Sequence, residues 1–187
     1  AATSNGTLVS SYGTGKFAPQ SSLWNGTNSS LGNTMETDYT LLSNAGAFTI
    51  SLWVKYEEAA NPSYESFLWG NTTSWYTYGG VLVFVYGASN TTYTPNSVMV
   101  SFTSSTGLGS PTWREWFTVP GGWANNWVHL ATSQDSAGLK KMYINGIKVG
   151  ENSSAVTTIG EHYLTFGGYN GVYTTNRFKG EMSNLRI

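Results

Sequence analysis

The chain has 187 residues, a length at which roughly 70% of the unfolded surface can be buried in one domain. It contains no cysteine, which excludes disulfide frameworks and thiolate metal sites, and nine Lys and Arg against ten Asp and Glu leave a net charge of −1, giving no electrostatic basis for binding nucleic acid or an anionic membrane. Only 10% of the residues are charged, against about 25% in an ordinary soluble domain, so the surface is built from hydroxyls and amides and suits an extracellular or particle-bound part of a larger assembly.

Residues 1–187 are expected to form a single domain, with 1–14 as an N-terminal arm or edge strand. The opening Ala1-Ala2-Thr3 carries neither the basic nor the apolar region of a signal peptide. No run approaches the ~18 apolar residues of a membrane span. Ala47 to Tyr56 is the clearest strand: Phe48, Ile50, Leu52 and Val54 alternate with Thr49, Ser51 and Lys55, and Trp53 interrupts the polar side. Glu65 to Trp69 follows. Val81 to Tyr86 is apolar on both faces, which predicts a mid-sheet strand covered on both sides. Ser97 to Thr103, Trp113 to Val119, Trp127 to Thr132 and Lys140 to Ile144 come next, the last two joined by the turn residues Asp135 to Gly138. Asn145-Gly146 lies between Met142 to Ile144 and Ile147 to Val149, and both residue types tolerate the positive φ of a type I′ turn, so a tight hairpin is expected there. Tyr163 to Phe166 and Glu181 to Ile187 complete the series. No segment repeats apolar residues at i, i+3, i+4 and i+7, and so many short strands between turn signals predict an all-β, two-sheet antiparallel sandwich.

Several blocks carry a family resemblance in their order and spacing. Gly15-Lys16-Phe17 and Ser22-Leu23-Trp24 are followed by Ala47 to Val54, then by Asn125 to Ala131, Tyr143-Ile144-Asn145-Gly146, Leu164 to Gly168 and Phe178 to Ile187. This succession resembles the laminin-G-like domains of the concanavalin A-like lectin/glucanase superfamily, from about Gly15 to the last residue. The resemblance implies a jelly roll that binds rather than catalyses. Members commonly carry acidic residues in the closing strand where this chain has Ser183-Asn184, which removes part of a family calcium site.

The acids are too scattered for glycoside cleavage, which needs two carboxyls about 5–5.5 Å apart in a retaining enzyme. Glu57 and Glu58 are adjacent and point to opposite faces, while Glu151 and Glu161 stand alone. Glu115 and Glu181 are the least implausible acids, and no catalytic residue is assigned. His129 and His162 have no Gly-x-Ser-x-Gly elbow, and His129 reads as a structural strand residue. The only aspartates are Asp38 and Asp135. Asp135 reads as a turn residue bonding its own backbone; Asp38, expected at a strand rim, is the ligand left for Ca²⁺, and no other cofactor is implied.

Sugar recognition needs aromatic faces beside amide and hydroxyl partners. Residues 71–78, the Trp113 to Trp123 region and residues 168–173 combine them, and Trp75, Tyr76, Tyr169, Asn170 and Tyr173 are the expected ligand contacts. Trp53, Trp69 and Trp127 are assigned to the core. Asn-x-Ser/Thr sequons at Asn5, Asn25, Asn28, Asn71, Asn90 and Asn152 follow from composition, and glycans at all of them would coat so small a domain, which favours a bacterial or phage origin. The expected function is a non-catalytic module on a cell or virion surface that binds glycans, lectin-like, in adhesion. The alternative is a virion structural part, a phage head-decoration or fibre domain whose jelly roll contacts capsid neighbours.

Overall fold

The computed structural model describes residues 3–5, 12–13, 21–25, 34–36, 46–57, 66–70, 80–103, 111–124, 126–157, 164–168 and 178–187, those before residue 46 and residues 66–67 by backbone alone. The strands in chain order begin with β1 (Thr3–Asn5), β2 (Tyr12–Gly13), β3 (Ser21–Asn25), β4 (Thr34–Glu36), β5 (Phe48–Tyr56), β6 (Ser66–Gly70) and β7 (Gly80–Tyr86). They continue with β8 (Ser97–Thr103), β9 (Pro111–Thr118), β10 (Val128–Gln134), β11 (Leu139–Ile144), β12 (Ile147–Ser153), β13 (Thr165–Phe166) and β14 (Lys179–Arg186). The first sheet has the order β1-β4-β13-β6-β7-β8-β9 and the second β12-β11-β10-β5-β14-β3-β2. Neighbours pair antiparallel throughout, as in β5 with β10 and β14 or β7 with β6 and β8. Among the described residues no helix is long and apolar enough to cross a membrane.

The two sheets bury one common core. On β5 the even positions Phe48, Ile50, Leu52, Val54 and Tyr56 point inward, as the alternation predicts, and meet Val81, Val83, Val85, Val98, Val100 and Phe102 of the opposite sheet. Each such side chain contributes roughly 1.5–3 kcal/mol by leaving water. The double-faced reading of β7 holds as well. Its odd residues enter the common core, while Leu82, Phe84 and Tyr86 form a second cluster with Met99 on the outer face of the first sheet, against which Trp116 packs.

Two close approaches tie the sandwich together. Gly150 of β12 lies against the rings of Phe117 and Trp113 on β9, where a Cβ would overlap Phe117. Gly180 of β14 has φ 138°, and a Cβ there would run into the Lys55 carbonyl of β5. Some inward positions break the apolar rule: Thr132 and Gln134 on β10, paired with Ile50 and Phe48, are buried, and Lys140, aligned with Met142 and Ile144, is fully buried. Its ammonium donates to the Ala155 carbonyl at 2.8 Å, the Ser154 hydroxyl at 2.9 Å and the Gly138 carbonyl at 3.2 Å, with the Phe102 ring centre 5.6 Å away.

The turns follow the sequence reading. Asn145 (φ 52°) and Gly146 (φ 80°) form the two-residue link between β11 and β12. Asp135 accepts from the backbone N–H groups of Ala137 and Leu139, each at 2.9 Å. The sequon residue Asn90 is also a turn device: its Oδ1 accepts from the N–H groups of Thr92 and Tyr93, and the side chain is buried, so a glycan has no access there.

Candidate functional site

The outward face of the second sheet carries a depression whose shape follows from strand register. His129 of β10 and Ser183 of β14 flank Trp53 of β5, so the three side chains form one row across the sheet. The next outward row runs Tyr143, Ala131, Ser51 and Arg186. Ala131 and Ser51 are small, which lowers the surface between the large groups. The resulting hollow encloses about 860 Å³ and is lined by Ser51, Trp53, Trp127, His129, Asn145, Gly146, Asn184 and Arg186.

Each wall has a local cause. The imidazole of His129 lies against the Trp53 indole, with ring centres 5.2 Å apart. The hairpin tip is clasped to β10 by two bonds, from the Asn145 N–H to the His129 carbonyl at 2.8 Å and from the His129 N–H to Asn145 Oδ1 at 2.9 Å. On the far side, the pairing of β14 with β5 advances three residues, from Ser183 to Arg186, while β5 advances two, from Trp53 to Ser51. That extra residue is a β-bulge, with Asn184 in the left-handed region at φ 54°. Without it, alternation would turn Arg186 inward; with it, Leu185 packs on the core and Arg186 faces out.

Electrostatically the hollow is donor-rich and holds no carboxylate among its lining residues. Burial, and secondarily the Arg186 guanidinium, hold the His129 imidazole below its ordinary value, which favours its neutral form. Glu181, the outward acid two strand positions from Ser183, is engaged by Lys55 at 3.0 Å. Among the described residues Arg186 has no ion pair, and the second half of the Asn145 amide, Nδ2, has no hydrogen-bond partner.

Trp75, Tyr76, Tyr169, Asn170, Tyr173 and Asp38 lie outside the described residues, as does His162. Two core assignments need correction: Trp69 is buried, but Trp53 and Trp127 are half-exposed and line the hollow. Trp53 occupies an odd position on a strand whose even positions face inward, so no conformation of that strand could bury it with the others. The Trp113 to Trp123 region is likewise corrected as a ligand loop. Trp113 and Trp123 belong to the core, and the Trp123 indole N–H donates to the Tyr86 carbonyl at 3.0 Å. Glu115 accepts from the Trp113 indole at 2.9 Å on β9, in the first sheet, whereas Glu181 is on β14 in the second, so these two acids do not face each other across a cleft. His129, read as structural, is structural through its backbone and also presents its ring to the hollow.

A family model described as the concanavalin A-like lectin/glucanases superfamily, laminin-G type, matches residues 25–187. The chain belongs to this family. Solved structures agree on the fold. The receptor-binding domain of botulinum neurotoxin type G superposes with a TM-score of 0.62 at 13% identity, covering 98% of this chain and 42% of that one. The binding domain of Paraclostridial Mosquitocidal Protein 1 gives 0.65 at 13% identity, covering 98% and 44%. Domains LG4-5 of the mouse laminin alpha1 chain give 0.54 at 13% identity, covering 75% and 34%. The chain thus spans less than half the length of these solved proteins. No curated protein sequence matches it.

Proposed function

We propose that this laminin-G-like domain is a non-catalytic glycan-binding module working at an extracellular or particle surface. The observation that carries this reading is the hollow on the second sheet, where two half-exposed tryptophans stand beside an amide, a hydroxyl and a guanidinium. Indole faces suit the C–H surface of a pyranose, and the polar groups suit its hydroxyls. The absence of a carboxylate from the lining, together with the placement of Glu115 and Glu181 in different sheets, supports binding over hydrolysis. The similar solved structures, a receptor-binding domain and a binding domain, support a recognition role at the level of the fold.

The test is titration of the purified domain with a broad panel of neutral and acidic oligosaccharides, read by the NMR signals of the Trp53 and Trp127 indole N–H groups. Binding should shift both signals. Removing one indole face in Trp53→Ala or Trp127→Ala should cost roughly 1.5–3 kcal/mol of contact, or about ten- to hundredfold in affinity. Unmoved indole signals across the whole panel would overturn the reading.

A further inference from the structure

We infer that the hollow selects a sugar bearing a carboxylate, such as a hexuronate or a sialate, and that Arg186 grips the carboxylate while the tryptophans carry the ring. This rests on the glycan-binding reading and adds the ligand's charge to it.

Three observations lead there. First, the protein makes Arg186 available by a deliberate change of register: the bulge at Asn184 turns the guanidinium onto the outward face, beside Ser51 and one row from Trp53. Bulges of this kind commonly re-aim a side chain at a functional site. Secondly, the local acids leave it unneutralised. Glu181 is held by Lys55, Glu57 by Lys179 at 3.0 Å, and Glu151 by Lys148, and none of the ion pairs among the described residues includes Arg186. Thirdly, the lining is lopsided in hydrogen-bonding capacity. Arg186 and the Asn145 Nδ2 group donate only, and the His129 ring lies close enough to Arg186 to be destabilised as a cation by it. A hollow offering donors and a net positive charge is complementary to an anion with several acceptor oxygens. The planar fork of a guanidinium matches the two oxygens of a carboxylate, forming parallel charge-assisted bonds that a neutral hydroxymethyl group cannot form.

The experiment compares acidic and neutral sugars of the same size: tri-galacturonate against its neutral galactose trisaccharide, and sialyllactose against lactose, with sulfated lactose as a separate arm. Calorimetry and the two indole NMR signals are read for the wild type, Arg186→Gln and Arg186→Lys. Far-UV circular dichroism confirms that the variants fold, as expected for an exposed residue near the end of β14. At least one carboxylated sugar should bind about tenfold or more tightly than its neutral partner, as expected for charge-assisted hydrogen bonds. Arg186→Gln should bring the acidic sugar to the affinity of the neutral one, and Arg186→Lys, which keeps the charge and loses the fork, should restore only part of the preference. Equal binding of acidic and neutral sugars, or a preference that survives Arg186→Gln, would refute this inference while leaving the glycan-binding reading intact. Tighter binding of the sulfated sugar alone would refute the carboxylate assignment. Silence from every sugar would overturn both.

Discussion

Lys140→Met removes the one fully buried cation among the described residues and tests whether the sandwich depends on it. Replacing a buried ion pair with apolar groups is often neutral, because both charges disappear together. Here the partners are the carbonyls of Ala155, Gly138 and, at 3.5 Å, Ser154, together with the Ser154 hydroxyl. The carbonyls cannot be removed with the lysine and would stay buried without a donor. Charge-assisted hydrogen bonds contribute about 1.5–3 kcal/mol each, and two are short, at 2.8 and 2.9 Å. Against them stands the desolvation of the ammonium, which the substitution relieves. The same desolvation depresses the Lys140 pKa below the usual 10.5, with Asp135 only partly opposing it. A net loss of about 2–4 kcal/mol follows, which in a domain of this size lowers Tm by about 4–16 °C. Calorimetry and urea unfolding at pH 7 measure it. The pH dependence has a fixed sign. Between the depressed folded-state value and the unfolded 10.5 the unfolded chain binds more protons, so wild-type stability relative to Lys140→Met is flat below that window and rises with pH through it. A Lys140→Met protein as stable as the wild type, or more stable, would refute the reasoning.

Two further outcomes are expected. Gly180→Ala should destabilise by about 3 kcal/mol or more, since it combines backbone strain at positive φ with overlap on the rigid Lys55 carbonyl; Gly46→Ala, in open space, is the control and should change the urea midpoint little. The His129 imidazole, held low by burial and by Arg186, contributes stability that is present above 6.5 and lost as pH falls through its folded value; Arg186→Gln should raise that value in an NMR titration, and an unchanged value would show that the guanidinium does not act on the ring.

The core was readable because its signal is redundant. On β5 every even residue is apolar and inward, so no single substitution could disguise the period, and Asn145-Gly146 fixed the hairpin because few other residues accept its φ values. β7 announced its double burial by having no polar side. Lys140 was not readable, since a lysine in a strand ordinarily signals solvent, and beyond the neighbouring Gly138 carbonyl its oxygen partners lie at Ser154 and Ala155, which only the returning β12 brings to it. The aromatic loops proposed from composition share the difficulty: small polar residues beside tyrosine mark a loop, yet composition says nothing about which aromatics converge.

The hollow is legible in retrospect at the positions where the local pattern fails. Trp53 is a large apolar residue in a polar series, and Trp127 and His129 are two residues apart, so they share an outward face. Asn184 is a residue type suited to positive φ inside a strand, the mark of a bulge, and it moves Arg186 from the inward to the outward register. Each departure costs something: exposed indole area, a left-handed residue, an unmatched cation. Trp53, Trp127 and Arg186 stand outside the core cluster of the described residues, although the bulge that exposes Arg186 also turns Leu185 onto it. Departures from local pattern that meet in one place are expected at functional sites, which is why the proposed function rests on this hollow. The register shift weighs most heavily here. The inserted residue does two things at once: it turns Leu185 onto the core and sets a guanidinium beside two indoles.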